Sequence, residues 1–325
     1  MTAPKAITCG GILIDSVVTA CGRVNEKALG GNAVYSAAGL RLWLGAGQVG
    51  IVGHIPVNYP DDLLCQLQNA GILTDGIHRS GVSVRGPEWF YYAPDGSRRD
   101  EISSPADGDA EMDFPAFRRA HPVRPDDIPV VWRDIRGIHL TGNDPVATRD
   151  LAATFRGASI TLDPGARAAD LAAYPDQPKV LAAVTAVIPS LKELQLLVPD
   201  QAPQAGLFHL HQRGAPLALV KRGSEGVLLR HPDGLLTEIP AIPVSALDPT
   251  GAGDSFCGGF LAGLLLGRDP VTAACMGTVA ASFAVENFGP SSLLAAPREQ
   301  RDDRLANLMA LVGRHSSSQT KMRSS

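Results

Sequence analysis

Residues 248–260 read DPTGAGDSFCGGF, in which a proline turn is followed by three small residues, one carboxylate and an apolar run. The stretch before it, PAIPVSALDPT (240–250), carries too many prolines for a helix interior, whereas SFCGGFLAGLLLG from residue 255 onward is typical of a buried helix. The GAG triplet (251–253) is therefore predicted to lie at a helix N-terminus. Because unpaired backbone N–H groups point outward there, the sequence predicts an anion site built from the main chain.

Asp254 falls in the first turn of this helix, directly after Gly251, Ala252 and Gly253. A carboxylate at that place is able to accept a proton from an attacking hydroxyl while the three amides surround a phosphoryl group. A simpler interpretation is an acidic residue that only interacts with the helix dipole, which stabilises a helix by a few tenths to about 1 kcal/mol. The four residues by themselves leave both interpretations open.

Over most of the 325 residues, short apolar runs rich in Val and Ile alternate with helical patterns. We predict buried strands in AITCGGIL (6–13), QVGIVG (48–53), GIHLTG (137–142), ASITLD (158–163), AVIPS (186–190) and LALVKRG (217–223). We predict helices at 32–44, 60–70, 145–155, 178–184, 190–198, 203–213, 251–266, 270–286 and about 299–312. This alternation predicts an α/β fold with a doubly wound, mostly parallel central sheet flanked by helices.

Two segments, 14–29 and 81–102, break the alternation, and the second contains the turn signal PDGS. They predict a small antiparallel β lid attached to the main domain. Residues 103–136 are rich in Pro, Asp and Arg and predict a long connection with one helical turn. We expect one domain over residues 1–312 and a flexible tail over 313–325, where the sequence is polar and without periodicity.

Composition and charge exclude several classes of function. The formal net charge is −4 and the basic residues are scattered, which disfavours a nucleic-acid partner. The 5 cysteines are odd in number and widely spaced, as in reduced proteins of the cytosol. No uninterrupted apolar segment suits a membrane span, and we expect a cytoplasmic protein that acts on a small molecule.

Three motifs that suggest other functions do not fit their context. GAGQVG (45–50) matches a dinucleotide-binding pattern but follows a helix and enters a strand, the reverse of the required order. The P-loop pattern does not occur in the sequence. His209 and His211 are two residues apart on a predicted helix, so they point to different sides and do not share a metal ion.

Three stretches together resemble the ribokinase-like, PfkB-type family of carbohydrate kinases. DPTGAGDSFCGGFLAGLL is similar to the family's C-terminal signature, and GGNA (30–33) with the helix after it is similar to the N-terminal one. LVKRGSEGVLL (219–229) resembles the family's strand-turn-strand that borders the nucleotide. The resemblance covers most of the chain and implies ATP-dependent phosphorylation of a hydroxyl on a small sugar or sugar-like polyol. Two alternatives stay open, a nucleoside kinase of the same family and a catalytically silent regulator that binds a polyol or nucleotide.

The same resemblance assigns roles to individual residues. It implies that Asp254 is the catalytic base and that the amides of Gly251, Ala252 and Gly253 form the anion hole. It implies substrate-binding residues (Asp15, Gly31 and Asn32), nucleotide-binding residues (Ser190, Lys221, Gly223, Ser224 and Gly226), a ligand of Mg²⁺ through water (Glu193) and ligands of a monovalent cation such as K⁺ (Asp248 and Thr250, with carbonyls from 284–289). Simpler interpretations exist for Asp15 as a turn residue, for Asn32 as a helix cap and for Asp248 as the start of the proline turn.

Some positions depart from the family pattern. Ser190 stands where the family has the Asn of Asn-x-x-Glu, which affects the expected Mg²⁺ arrangement. His54 and Ile55 stand where an acidic pair is common, which affects the expected substrate contacts. Arg167, in DPGAR (163–167), is interpreted either as a residue near the substrate, as in some sugar kinases, or as a surface arginine. The stretch RPDDIP (124–129) is similar to inositol kinases and indicates a cyclitol. The aromatic run WFYY (89–92) is interpreted as a lid surface over the substrate or as the contact of a homodimer.

Overall fold

The computed structural model of the chain describes residues 3–94, 97–101 and 110–323. Its strands are β1 (Ala6–Cys9), β2 (Leu13–Val18), β3 (Val24–Gly30), β4 (Val49–Ile55), β5 (Leu73–Arg79), β6 (Val84–Arg85), β7 (Glu88–Tyr92), β8 (Arg98–Glu101), β9 (Met112–Asp113), β10 (Gly137–Thr141), β11 (Ser159–Asp163), β12 (Ala186–Val187), β13 (Leu217–Lys221), β14 (Val227–Arg230) and β15 (Leu236–Ile239). Its helices are α1 (Asn32–Leu44), α2 (Asp61–Asn69), α3 (Phe114–Ala120), α4 (Pro145–Thr154), α5 (Ala168–Ala173), α6 (Gln177–Ala183), α7 (Leu191–Leu197), α8 (Pro203–Gln212), α9 (Ala252–Leu265), α10 (Pro270–Ala284), α11 (Ser291–Leu294) and α12 (Arg298–Arg323).

The central sheet has nine strands in the order β15-β14-β13-β12-β11-β10-β1-β4-β5. All neighbours from β5 to β13 are parallel, whereas β14 and β15 add two antiparallel strands at one edge. Strands β1, β10 and β13 are almost fully buried, which is why their sequences are continuous apolar runs without alternation. The predicted doubly wound, mostly parallel sheet is confirmed.

The strand order places a ligand crevice between β1 and β10. From β1 the chain builds the sheet outward through β4 and β5, and from β10 it builds in the opposite direction through β11, β12 and β13. In open α/β sheets, ligands bind beyond the carboxyl ends of the strands where this reversal occurs. Gly10, Gly11 and Gly142 follow these two strand ends, so their backbones form the floor of that crevice.

Helix α9 packs between α1 and α10 because it carries two adjacent glycines. A Cβ atom on Gly258 would lie 2.0 Å from the carbonyl oxygen of Ser36 in α1. A Cβ atom on Gly259 would lie 2.8 Å from the carbonyl oxygen of Met276 in α10. The SFCGGF sequence therefore fixes the position of the whole helix, and with it the position of Asp254 at its start.

The predicted lid is a separate four-stranded sheet with the order β3-β2-β7-β8. It consists of two antiparallel pairs, β2 with β3 and β7 with β8, and these pairs are joined by parallel pairing of β2 with β7. The register of the central pair places Asp15 opposite Glu88. Phe90 is buried and faces inward with Tyr92, whereas Trp89 and Tyr91 stack on the other face with ring centroids 6.0 Å apart. The centre of the PDGS turn lies outside the described residues.

Each predicted helix and buried strand corresponds to an element of the structure, with shifts of a few residues at the ends. The elements β5, β15, α5 and α11 were not predicted, and neither was the two-stranded sheet of β6 with β9. One helical turn was expected where the seven-residue α3 forms. Most of these elements are short, and β5 mixes polar with apolar residues because it lies at an edge of the sheet. Residues 103–109 of the predicted connection lie outside the described residues.

The backbone near the end of the sequence is helical, which differs from the prediction. Helix α12 continues to Arg323, through most of the segment that was expected to lack regular structure. The sequence of this segment is polar and without periodicity, and the flexibility of 313–325 stays a prediction. Neither α12 nor any other helix within the described ranges is long and apolar enough to cross a membrane.

Candidate active site

The turn that precedes α9 requires glycine at position 251. Gly251 has a φ of 73°, a left-handed conformation that favours glycine, and it is the residue that caps α9. A Cβ atom there would also lie 2.2 Å from the ring of Tyr35. One residue earlier, the amide of Thr250 donates a hydrogen bond of 2.9 Å to Oδ1 of Asp248. Conformation and close packing thus fix the main chain ahead of Asp254.

The amides at this helix start are available to a ligand. Within the described ranges, the amides of Gly251 and Gly253 donate to no residue, and the amide of Ala252 makes only a long bond of 3.3 Å to the carbonyl of Pro249. The ammonium group of Lys221 lies beside this start, since a Cβ atom on Gly253 would be 3.3 Å from Lys221 Nζ. Free amides, the helix dipole and a cation together favour a negatively charged group here.

Asp254 is half-buried beside those amides. Burial, and next the charge of Asp163, raise the pKa of Asp254 from 3.8 to about 7, although Lys221 and Arg98 act in the opposite direction. A carboxyl with a pKa near 7 exchanges its proton readily at neutral pH. Asp254 therefore has the properties of a general base.

A buried ion pair lies beneath the start of α9. The Lys221 ammonium contacts the carboxylate of Asp163, and the two side chains are 11% and 3% exposed. The thiol of Cys257 lies 3.7 Å from Lys221 Nζ and 3.6 Å from Asp163 Oδ2. Burial alone would lower the pKa of Lys221, but Asp163 raises it well above its usual value. The ammonium is thus held in its charged form at the anion site.

Glu193 belongs to the same charged group and to a helix cap. Ser190 Oγ accepts a hydrogen bond of 3.3 Å from the amide of Glu193, and Glu193 Oε2 accepts one of 2.7 Å from the amide of Ser190. This reciprocal pair is a capping box that starts α7. Burial, followed by the charge of Asp163, raises the pKa of Glu193 to about 7. The backbone amide of residue 190 orients the Glu193 carboxylate. Replacement of the family's Asn by Ser190 therefore does not change the position of Glu193.

The expected nucleotide-binding turn connects β13 and β14. Gly223 and Ser224 are exposed in this turn, and a Cβ atom on Gly223 would meet open space. Gly226 is buried with a φ of 84°, and a Cβ atom there would lie 2.1 Å from the carbonyl of Ile239. The turn thus offers an open surface next to Lys221. Position 226 requires glycine for structural reasons, namely its backbone conformation and its close packing against Ile239.

Asp15 lies in the crevice with half of its hydrogen-bonding capacity unused. Its Oδ2 accepts a bond of 3.3 Å from the amide of Gly31, and its Oδ1 is buried without a partner in the described part of the chain. Burial, and next the charge of Glu88, raise the pKa of Asp15 to about 8. A Cβ atom on Gly30 would lie 1.9 Å from the Asp15 carboxylate, so this glycine makes room for it. A ligand hydroxyl would satisfy the free oxygen.

Asn32 lies beside the crevice floor and is held by the backbone. Its Oδ1 accepts a hydrogen bond of 2.7 Å from the amide of Gly11, which leaves the amide group Nδ2 next to Gly142. Gly31, not Asn32, is the residue that caps α1, so the simpler interpretation of Asn32 as a helix cap is wrong. The NH₂ group is placed to donate to a ligand.

Asp248 and Thr250 lie where the lid meets the turn. Oδ2 of Asp248 is buried without a partner among the described residues, and the Thr250 hydroxyl is 2.9 Å from the hydroxyl of Tyr92 in β7. In the segment 284–289, the carbonyl of Val285 already accepts the amides of Leu247 and Asp248. The Tyr92 contact holds the lid against the turn that leads to Asp254.

The sequence analysis missed several residues of this site. Asp163 was considered only as the start of the DPGAR turn, yet it organises Lys221, Glu193 and Cys257. Glu88 and Arg118 pair at 3.1 Å beside Asp15, and neither was predicted. The Asp113-x-Pro sequence that starts α3 is a recognisable N-cap signal and could have located Arg118 on a helix.

Arg167 does not reach the free groups of the crevice. Its guanidinium pairs with Asp144 at 3.3 Å and with Asp170 at 2.8 Å. The side chain is 19% exposed, so it is a partly buried arginine held by two acids. From the same turn it is Gly165, rather than Arg167, that approaches Asn32.

The chain is similar to a family of known kinases. The sequence model of the pfkB family carbohydrate kinases matches residues 16–296. A cytidine kinase of Thermococcus kodakarensis is 26% identical over 296 residues, which cover 88% of this chain and 98% of the relative. An ATP-dependent ribose-1-phosphate kinase of Halopiger xanaduensis is 29% identical over 258 residues, which cover 76% and 77% of the two chains. A ribokinase of Arabidopsis thaliana, solved with ribose and ATP, superimposes with a TM-score of 0.72 at 21% identity and covers 93% of this chain and 99% of that one.

Proposed function

We propose, from the premise that this chain belongs to the pfkB family of carbohydrate kinases, that it transfers the terminal phosphoryl group of ATP to a hydroxyl of a small sugar or sugar-like polyol. One observation carries the proposal. Two free backbone amides and a half-buried carboxyl with a pKa near 7 lie within four consecutive residues at the start of α9. This is the combination that phosphoryl transfer to a hydroxyl requires.

The reaction follows from these positions. Asp254 takes the proton of the acceptor hydroxyl, the hydroxyl oxygen forms a bond to the terminal phosphorus, and the bond from that phosphorus to ADP breaks. The amides of Gly251 and Gly253 and the ammonium of Lys221 stabilise the negative charge on the transferred group. Asp15 accepts hydrogen bonds from other hydroxyls of the acceptor, and Asn32 donates to them.

Two cations fit residues of the site. Glu193 and Asp163 are hard oxygen donors next to the proposed phosphate position, and they would hold Mg²⁺ through water. When bound, Mg²⁺ neutralises part of the charge on the nucleotide phosphates. The unpartnered Oδ2 of Asp248 fits a monovalent cation such as K⁺, with Thr250 beside it.

The lid excludes water from the reacting groups in this proposal, because Tyr92 holds it against Thr250 and Phe90 covers the interior. The outer face with Trp89 and Tyr91 is the surface for the predicted homodimer. The homodimer, the cytoplasmic location and the absence of a nucleic-acid partner stay predictions.

A nucleoside kinase is the second candidate, favoured by the cytidine kinase that matches most of the chain. The experiment is a coupled assay of ADP release with ribose, myo-inositol, ribose 1-phosphate and cytidine as acceptors. Turnover that is fastest with cytidine would replace the first candidate by the second. Binding of ATP and a polyol without ADP release would support the silent regulator.

The activity should depend on the titration of Asp254. The deprotonated carboxylate is the form that accepts a proton, so kcat/KM should rise about tenfold per pH unit below a pKa of about 7 and level off above it. We expect this rising limb when ADP release is measured at low acceptor concentration over a pH series. A rate that is independent of pH around neutrality would contradict the role of Asp254 as base.

A further inference from the structure

A polar cavity continues the acceptor crevice along the edge of the sheet. It is lined by Gly11 and Gly142, which both touch Asn32, and by His54, Arg118 and His121. His54 lies in β4, on the far side of β1 from Asp163 and Lys221, the neighbours of Asp254. An acceptor whose hydroxyl faces Asp254 therefore directs its other end into this cavity.

We propose that the acceptor carries an anionic group, a phosphate or a carboxylate, at the end opposite to the accepting hydroxyl, and that Arg118, His54 and His121 bind this group. The proposal rests on the kinase function proposed above and narrows its substrate class. The three side chains come from two elements that the chain brings together at the carboxyl edge of the sheet, β4 and the region of α3.

Arg118 lies directly over the crevice floor. Its Cδ would be 3.0 Å from a Cβ atom on Gly11, so this bare backbone position allows the side chain to lie there. One of its N–H groups donates to Glu88 Oε1 at 3.1 Å, and the side chain is 28% exposed. A guanidinium has five N–H groups in a planar fork, so Arg118 retains donors for a carboxylate or phosphate.

Two imidazoles, those of His54 and His121, line the other side of the cavity, and the ring of His78 packs against His54. The ring centroid of His54 lies 5.5 Å from that of His78 and 5.7 Å from that of His121. His54 Nδ1 is buried without a partner in the described part of the chain, whereas its Nε2 faces Asp127 Oδ1 at 3.5 Å. Nδ1 of His121 is 3.0 Å from the carbonyl of Phe117, which leaves Nε2 for a ligand. The ring nitrogens that have no partner among the described residues, His54 Nδ1 and His121 Nε2, are able to donate hydrogen bonds to an anion in the cavity.

Arg118 has a weak counter-ion. Its guanidinium pairs with the carboxylate of Glu88 at 3.1 Å. Burial raises the pKa of Glu88, so this acid is a weakened counter-ion for Arg118. A phosphate or carboxylate in the cavity would give the guanidinium a second, charged partner.

The same cavity offers little to a nucleobase. The ring of Phe117 is 1% exposed and is covered by His121 at a centroid distance of 4.3 Å, so it presents no open face for stacking. Asn143, which could read a base edge, uses both ends of its amide on the backbone of Val123, at 3.0 and 2.9 Å. The cavity therefore favours an anion over a base.

The test compares ribose with derivatives that carry a phosphate, a carboxylate or a base at C1. Steady-state ADP release is measured with ribose, ribose 1-phosphate, ribonate and cytidine. We expect kcat/KM for ribose 1-phosphate or ribonate to exceed that for ribose and cytidine by about 10- to 100-fold, as for a charge-assisted hydrogen bond. Comparison of the phosphate with the carboxylate identifies the chemical class. Equal kcat/KM values for the neutral and the anionic acceptors would overturn the proposal.

Variants of α3 and of the lid show which side chains cause the preference for an anionic acceptor. Arg118→Met should remove most of the preference for the anionic acceptor, while Arg119→Met, an exposed arginine next to it on the same helix, should not change it. Glu88→Gln should increase the preference, because it frees Arg118 from its counter-ion. A preference that survives Arg118→Met, or that falls in Glu88→Gln, counts against the proposal.

Binding experiments separate this inference from the kinase function. Isothermal titration calorimetry on the Asp254→Asn variant measures the affinity for ribose and for ribose 1-phosphate without turnover. Tighter binding of ribose 1-phosphate that depends on Arg118 supports the anion site even if no acceptor releases ADP in the wild type. Equal binding of both sugars, together with ADP release from ATP when ribose is the acceptor, leaves the kinase function standing and rejects the anion site.

Discussion

Replacing Asp254 by asparagine should lower kcat by about 10²- to 10⁴-fold, the usual contribution of a general base. The new side chain has the same size and keeps an acceptor oxygen, but it does not take up a proton at neutral pH. Because burial and Asp163 disfavour the charged form of Asp254, the neutral asparagine should not destabilise the protein. ADP release and thermal unfolding of the same preparation measure both effects.

The matched control is Asp269→Asn in the next helix. Asp269 caps α10, and its carboxylate accepts the amides of Val271 at 2.9 Å and Thr272 at 3.0 Å. Asparagine caps helices about as well as aspartate, so this variant should keep both activity and stability. If Asp254→Asn turned over within tenfold of the wild type, another group would have to be the base.

Asp254 and the neighbouring amides could be predicted from the sequence because all of these groups lie within four consecutive residues. Gly251 and Gly253 are separated from Asp254 by at most three residues, and the prolines before them and the apolar run after them fix where the helix begins. The central sheet could be predicted for a related reason, since buried parallel strands are continuous apolar runs.

The rest of the site depends on contacts between distant parts of the chain. Lys221 and Asp163 are 58 residues apart and meet only because β11 and β13 end at the same edge of the sheet. Glu88 faces Asp15 through the register of β2 and β7, which no local pattern specifies. A single sequence shows the residue types but not which distant residues pair. Asp163, which contacts Lys221, was therefore not predicted as a residue of the site.

Asp254, Asp163 and Glu193 share a single ammonium. The charge of Lys221 opposes the rise in pKa of Asp254 and of Glu193, and it lowers the pKa of Asp163. Asp163 takes the direct contact, so the other two carboxyls keep values near 7. The ion pair beneath α9 thus sets the proton affinity of the proposed base as well as the charge of the anion site.

Lys221→Met should therefore produce the largest loss of stability that we expect, about 3–5 kcal/mol, because it leaves the Asp163 carboxylate buried without its cation. The free energy of unfolding is measured by urea titration. Any residual activity should have its rising limb at higher pH, since the loss of the ammonium raises the pKa of Asp254 further.

Two further variants show whether the buried charge of Asp163 causes the loss of stability in Lys221→Met. The double variant Lys221→Met/Asp163→Asn should regain much of the lost stability, because it removes the uncompensated carboxylate, but not the activity. Lys179→Met breaks the pair with Asp176 on an exposed helix surface, where Lys179 is 74% exposed, and should change stability little. If Lys179→Met and Lys221→Met had equal effects, Lys221 would have no special part in the fold. If the double variant were less stable than Lys221→Met, Asp163 would act through contacts other than Lys221.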